Sequence, residues 1–372
     1  MYYFDHSATT PILPEVIELM NTINKNIYGN PSSIYSSGRK SRSIIEKARE
    51  QIAKSISSKP EQIIFTSGGT ESNNQVLWSI IKNNKKHIVA NEIEHPAVTQ
   101  VLQSLKQFGI EHQLVKVKKN GIVSVDEIYE AIKPETSLIS LMLANNELGT
   151  IQPLKEVVEF ANKHNIMVHT DAVQCLGKME VDVISLGIDF LSLSAHKFYG
   201  PKGVGILYAK NPKKISSLII GGGQENNLRA GTENISTIAG MGLAAKISTT
   251  SLNEKIKSLY SFEQQFKKGL NRFFDNAIYN GHQSKKLPGI INVSFPNFQS
   301  DKVMVQLDRK NIAISNGSAC GSGNIEPSKV LSAIGLNEKI NLSTLRFSFG
   351  KSNDKQQIDY LLSSLESILV KS

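Results

Sequence analysis

The stretch QIIFTSGGTES, residues 62–72, decides the fold. Ile63, Ile64 and Phe65 form an unbroken apolar run of β-branched and aromatic side chains, the mark of a strand covered on both faces. Gly68 and Gly69 stop that run, and a helical pattern opens beyond them. Upstream, Ile45, Ala48, Ile52 and Ile56 recur at helical spacing. A helix, a buried strand, a glycine turn and a second helix thus follow one another, which is the rhythm of a βα unit.

The rhythm repeats outward. HIVAN (87–91), SLISLMLANN (137–146), NIMVHTDA (165–172), DFLSLSAH (189–196) and GVGILYA (203–209) are further short apolar runs. Helical patterns separate several of them, among them PLKEVVEFANKHN (153–165) with Pro153 at its start. The prediction is an α/β fold with a mostly parallel mixed sheet flanked by helices on both faces. After about residue 250 a long amphipathic helix carries Leu252, Ile256, Leu259, Phe266, Leu270 and Phe273, then come strands INVSFP, IAIS and LRFSF and a terminal helix. With 372 residues the chain exceeds what one core usually holds. The expected division is a large domain over 15–255 and a smaller α+β domain built from 1–14 and 256–372.

Composition narrows the function. Hydrophobic residues make up 40% and charged residues 20%, the balance of a globular protein. The net charge of +9 is spread along the chain, with no basic stripe carrying interleaved aromatics, which argues against direct nucleic-acid binding and leaves an acidic protein partner open. No apolar run is long enough to span a membrane, and the N-terminus lacks the pattern of a signal peptide, so a soluble, cytoplasmic protein is expected. Cys175 and Cys320 are the only cysteines, too few for a disulfide framework.

Ligands of open α/β sheets gather beyond the carboxyl ends of strands, where several polar clusters fall here. Ser67 to Ser72 fits a phosphate-binding helix start, and equally a turn with Ser67 or Thr70 as a cap. Asp171 ends an apolar strand, where a carboxylate needs a cation such as a pyridinium nitrogen or caps a helix. Lys197 ends SLSAH among groups that lower an amine's pKa, the setting of an aldehyde-trapping nucleophile or of a snorkelling surface lysine. Together with Ser194 and His196 these are the parts that pyridoxal phosphate requires. Cys320 sits in SNGSACGSGNIEPS, whose small residues predict a mobile loop with an exposed, reactive thiol, while Cys175 reads as packing.

Eight motifs in order carry a wider resemblance: YGNPSS, FTSGGTESNN, EIEHPAV, ANNELGTIQP, HTDAVQ, SAHKFYGPKGVG, LRAGTEN and SNGSACGSG. From FDHSATTP to LRFSFG the chain resembles the cysteine desulfurases of the NifS/IscS type, within the class V aminotransferase branch of fold-type I pyridoxal enzymes. The resemblance implies pyridoxal 5'-phosphate held by Lys197 as Schiff-base lysine, Asp171 on the pyridinium, and Asn146 with Gln174 on the phenolic oxygen. It implies His95 stacked on the ring and active in proton transfer, and phosphate contacts from Gly69, Thr70, Ser194 and His196. Thr232 of the partner subunit would complete the phosphate site, hence a homodimer. Arg346, assisted by Asn30, would grip the substrate carboxylate.

The implied reaction takes sulfur from L-cysteine, leaving L-alanine and a persulfide on Cys320. The segment after Cys320 is of the longer type that, by the same resemblance, hands sulfur to an iron-sulfur scaffold or a tRNA-thiolating enzyme. One departure bears on this: Tyr35 stands where the family commonly has histidine. The rival readings are a selenocysteine lyase or an aminotransferase of the same class, neither of which needs Cys320 in the same way.

Overall fold

The computed structural model describes residues 1–316 and 326–370. Seven strands form the main sheet: β1 (Ile63–Thr66), β2 (His87–Asn91), β3 (Glu111–Val115), β4 (Thr136–Ser140), β5 (Met167–Asp171), β6 (Phe190–Ser194) and β7 (Gly205–Ala209). Their order across the sheet is β1-β7-β6-β5-β4-β2-β3. Neighbours from β3 through β6 run parallel, and β7 runs antiparallel to both β6 and β1. The mixed sheet follows from chain length: only the short turn after Lys197 joins β6 to β7, and parallel strands need a crossover far longer than that.

Strand alternation explains why the runs are continuously apolar. Ile63, Phe65, Val89, Leu191, Leu193 and Ile206 join one core, while Ile64, Ile88, Ala90, Phe190 and Leu207 join a second on the opposite face. Both faces are therefore buried under helices, and every position needs an apolar side chain. On the first face the helices Pro14–Asn26 and Ser36–Ser55 pack on Ile235–Thr249. On the second, Gly69–Ser79 packs against Pro96–Leu105.

A separate antiparallel sheet of Thr344–Ser348, Ile290–Ser294 and Ile278–Tyr279 carries its own core with the helices Leu252–Leu270 and Lys355–Leu369. Phe4, Phe266, Phe295 and Phe347 are fully buried there. The long helix stops at Leu270, short of Phe273, which packs from the following turn as a partly buried member of the same core. The run IAIS contributes only Ile312–Ala313 as strand, paired in parallel with Tyr2–Tyr3.

Candidate active site

The carboxyl ends of β1, β2, β4, β5 and β6 share one edge of the sheet and open on a crevice of about 1080 Å³. Gly69, Thr70 and His95 reach it from the first two of these strands, and Asn146, Asp171 and Gln174 from the next two. Ser194, His196 and Lys197 arrive from β6, and Arg346 from the smaller sheet. Asn30 and Thr232 are exposed and lie outside this lining. Cys320 lies outside the described residues; Ser315 and Glu326, on either side of that stretch, both line the crevice.

Lys197 donates through Nζ to the carbonyls of Ser7 (2.6 Å) and Ala8 (2.7 Å), so the N-terminal segment crosses beside it. Burial and the positive charge of Arg346 lower its pKa to about 8, against the pull of Asp5 and Asp171. Asp171 is oriented by two donors, Asn73 Nδ2 at 2.7 Å and the Val173 N–H at 3.0 Å. No helix starts at Asp171, so its carboxylate serves a turn and the crevice.

At the end of β1 neither Ser67 nor Thr70 caps the helix; Gly68 is the capping position and makes no side-chain bond. Glu71 instead accepts from the Ser67 N–H at 2.8 Å. The first N–H groups of the helix are left without intrahelical acceptors. The glycines are required by space: a Cβ on Gly69 would meet Val173 at 2.6 Å, and one on Gly205 would come within 2.6 Å of the Gly68 Cα. The result is a bare backbone cradle with free donors at a helix start, suited to a phosphate.

His95 caps the helix Pro96–Leu105, its Nδ1 accepting from the Ala97 N–H at 3.1 Å. The neutral ring therefore carries its proton on Nε2, and the surrounding walls, with Lys197, lower its pKa. His196 bonds Thr9 through Nδ1 (3.1 Å), and burial beside Lys197 brings it down to about 4. Gln174 donates to the Ser7 carbonyl (2.8 Å) and accepts from Lys178 (2.9 Å). Because a carbonyl can only accept, Ser7 fixes which end of that amide is the nitrogen. Arg346 is 4% exposed, bonded to Asp5 (2.7 Å) and to the Asn146 carbonyl (2.9 Å), with no partner for its Nε among the described residues. It is thus no solvent-facing edge arginine.

Several neighbours escaped the sequence reading. Asn73, Lys178 and Asp5 orient the residues just described, and Glu94 and Glu147 are buried carboxyls in the crevice lining. Burial pushes Glu147 up to about 7, opposed by donation from Ser328 and by Arg346. Position was an available signal for two of the five: Glu94 directly precedes His95 in EIEHPAV, and Glu147 directly follows Asn146 in ANNELGTIQP. Cys175 is fully buried in the main core, where burial pushes its thiol far up and leaves it inert.

A lysine of lowered pKa, an oriented carboxylate and an empty-handed backbone cradle in one crevice match the needs of a phosphorylated pyridine aldehyde. The family model for aminotransferase class-V matches residues 2–361. The chain belongs to the class-V aminotransferases. Its cofactor is accordingly pyridoxal 5'-phosphate. It is 43% identical to the cysteine desulfurase IscS of Dictyoglomus turgidum over 99% of this chain and 94% of that one. It is 38% identical to the mitochondrial cysteine desulfurase of Eremothecium gossypii over 98% of this chain and 75% of that one. Among solved structures, a NifS-like protein superimposes with a TM-score of 0.94 at 36% identity, covering 100% of both chains. SspA in complex with cysteine gives 0.83 at 35% identity, covering 94% of this chain and 99% of that one.

Proposed function

We propose that this class-V enzyme is a cysteine desulfurase that converts L-cysteine and the Cys320 thiol into L-alanine and a Cys320 persulfide. The observation that carries the reading is Lys197: a lysine of pKa about 8 facing an oriented carboxylate, in a crevice also lined by Ser315 and Glu326, which bracket Cys320. Near-complete alignment with desulfurases adds to it.

Lys197 would hold the cofactor aldehyde and, once released from it, would accept the proton from the substrate's α-carbon. Asp171 keeps a negative charge at the ring nitrogen, and Asn73 holds that carboxylate in place. When bound, the cofactor withdraws electrons from the α-carbon and so weakens the bonds around it. The cradle at Gly69 and Thr70, with Ser194 and His196, holds the phosphate; Asn146 and Gln174 face the phenolic oxygen. His95 covers the ring and relays a proton through Nε2. Arg346 takes the substrate carboxylate, with Asn30 in support. The Cys320 thiolate attacks the substrate sulfur, the carbon–sulfur bond breaks, and a proton delivered to the former β-carbon completes alanine.

A homodimer is part of the proposal, with Thr232 of the partner subunit completing the phosphate site. Supporting it, Tyr28, Ile34 and Ile220 are 88%, 87% and 89% exposed, and buried Glu233, next to Thr232, has an ion pair with Arg42 at 3.7 Å but no hydrogen-bond donor on either carboxyl oxygen among the described residues. The division into units 15–255 and 1–14 with 256–372, a cytoplasmic setting, and delivery of the persulfide to an iron-sulfur scaffold or tRNA-thiolating enzyme complete the reading. Among the described residues no helix is long and apolar enough to cross a membrane.

The test is Cys320→Ala assayed with L-cysteine. The variant should keep its yellow cofactor yet form alanine and bound persulfide at least a hundredfold more slowly than wild type. Undiminished alanine formation would discard the desulfurase reading and favour another reaction of the same cofactor.

A further inference from the structure

The segment before Thr232 holds a conformation that its residue types resist. Glu225, Asn226 and Asn227 stand at φ of 47°, 56° and 64°, successive left-handed residues with no glycine among them. Such backbone persists only where its surroundings hold it. Three side chains do so, and all tie the segment to β1 and the helix Gly69–Ser79 that follows it. Glu225 accepts from the Phe65 N–H at 2.9 Å, on the outer edge of β1, and pairs with buried Arg49 at 2.6 and 2.8 Å. Gln75 donates to the Leu228 carbonyl at 2.8 Å. Glu71 joins the two parts directly: Oε2 accepts from the Ser67 N–H at 2.8 Å, in the turn of the phosphate cradle, and Oε1 accepts from Arg229 Nε at 2.9 Å. Beyond Arg229 the order continues to the tip. The Ala230 N–H bonds the Ile219 carbonyl and the Gly231 N–H bonds the Gln224 side chain, both at 3.1 Å, and Thr232 then stands exposed.

We propose that Arg229, clamped by Glu71, is a positioning residue that acts in trans: it fixes the angle at which Thr232 reaches the phosphate site of the partner subunit. The proposal rests on the homodimer reading, in which that hydroxyl completes the partner's site. Order lowers the cost of the contact, because a threonine already held in place loses little further freedom on meeting the phosphate. Glu71 braces both the cradle of its own chain and the arm offered to the other. Arg229 lies outside the crevice lining and braces the arm alone. Its substitution is therefore felt by the other chain.

The test uses mixed dimers purified through a different tag on each chain. One chain carries Lys197→Ala, so the Lys197 adduct weighed after borohydride reduction comes from the intact chain alone, and it is followed across a titration with pyridoxal phosphate. With Arg229→Met added to the Lys197→Ala chain, the intact chain should need about fivefold more cofactor than with Lys197→Ala by itself. With Arg229→Met moved to the chain that keeps Lys197, the requirement should stay within about twofold. Glu71→Gln on the Lys197→Ala chain should repeat the loss in trans, because its amide keeps the Ser67 bond only by turning its nitrogen toward Arg229. That variant decides should the methionine one fail to fold. A loss as large when the substitution sits on the intact chain, or no loss in either arrangement, overturns the proposal. Thr232→Val on the Lys197→Ala chain checks the underlying reading and should weaken the intact site about tenfold. If it does not, or if wild type sediments as monomer, the shared site falls and the Arg229 role with it.

Discussion

Lys197 owes its reactivity to two neighbours of opposite kind, an apolar enclosure and a guanidinium. At a pKa of about 8 roughly a tenth of the amine is free at neutral pH, about two hundredfold more than for an ordinary lysine. Arg346 is the leading charge behind that shift. Arg346→Met should therefore move the Lys197 pKa upward, toward the usual lysine range. Turnover would confuse this with loss of substrate binding, so the informative measurement is the pH dependence of the rate at which apoenzyme condenses with pyridoxal phosphate. The rising limb shifts to higher pH in the variant; an unmoved limb would show that burial alone sets the amine. The lysine itself was legible in the sequence, because a cation closing an apolar strand is conspicuous. Glu94 was not: glutamate is ordinarily a surface residue, and only packing shows that Met142 and Asn91 enclose it.

Strands and helices were legible where composition reports burial, and illegible where geometry alone decides. Every strand from β1 to β7 except β3 shows as an apolar run; β3, at the sheet edge with exposed Glu111, Gln113 and Leu114, does not. The reversal of β7 leaves no mark in GVGILYA, since a strand buried on both faces looks alike in either direction. At the centre of the sheet His169 ties three strands together, with Nδ1 to Ser140 Oγ on β4 (2.9 Å) and Nε2 to Ser192 Oγ on β6 (3.1 Å). It is fully buried, and desolvation holds its pKa at about 4. Unfolding restores the ordinary value near 6.5, so the unfolded chain binds the extra proton between those values. The stability from this neutral histidine is complete above about pH 6.5 and is lost as pH falls toward 4. From pH 7 to 5 the loss is about 2 kcal/mol from this one ring. Urea melts followed by circular dichroism should show a smaller loss over that interval in His169→Gln, whose amide spans the same strands without titrating. Equal acid sensitivity in the two proteins would place the effect on other histidines whose pKa burial lowers, such as His6, His87 and His196.

At the scale of the molecule, the described part of the crevice gathers most of the expected site residues, and the proposed homodimer accounts for two that it leaves out. Ten of the residues expected at the site converge on one sheet edge, whereas Asn30 and Thr232 face solvent. Both lie in segments that also expose bare apolar side chains: Tyr28, Ile34 and Tyr35 near the first, Leu218, Ile219 and Ile220 before the second. Such exposure is costly on a lone monomer and is relieved by burial against another subunit. A twofold arrangement applies the same patch twice, so a single charge placed in it acts on both copies. On the proposed homodimer, Ile220→Glu should lower the stability of the pair, visible in sedimentation as monomer where wild type is dimeric; a wild type that sediments as monomer at every concentration overturns the dimer. Because Thr232 travels with this segment, cofactor affinity should fall with dissociation, by about tenfold at concentrations where monomer dominates, and recover as protein concentration rises. The recovery is the discriminating part. A charge that merely damaged the local fold would weaken cofactor binding at every concentration, whereas a site shared between subunits regains its phosphate contact whenever the subunits meet.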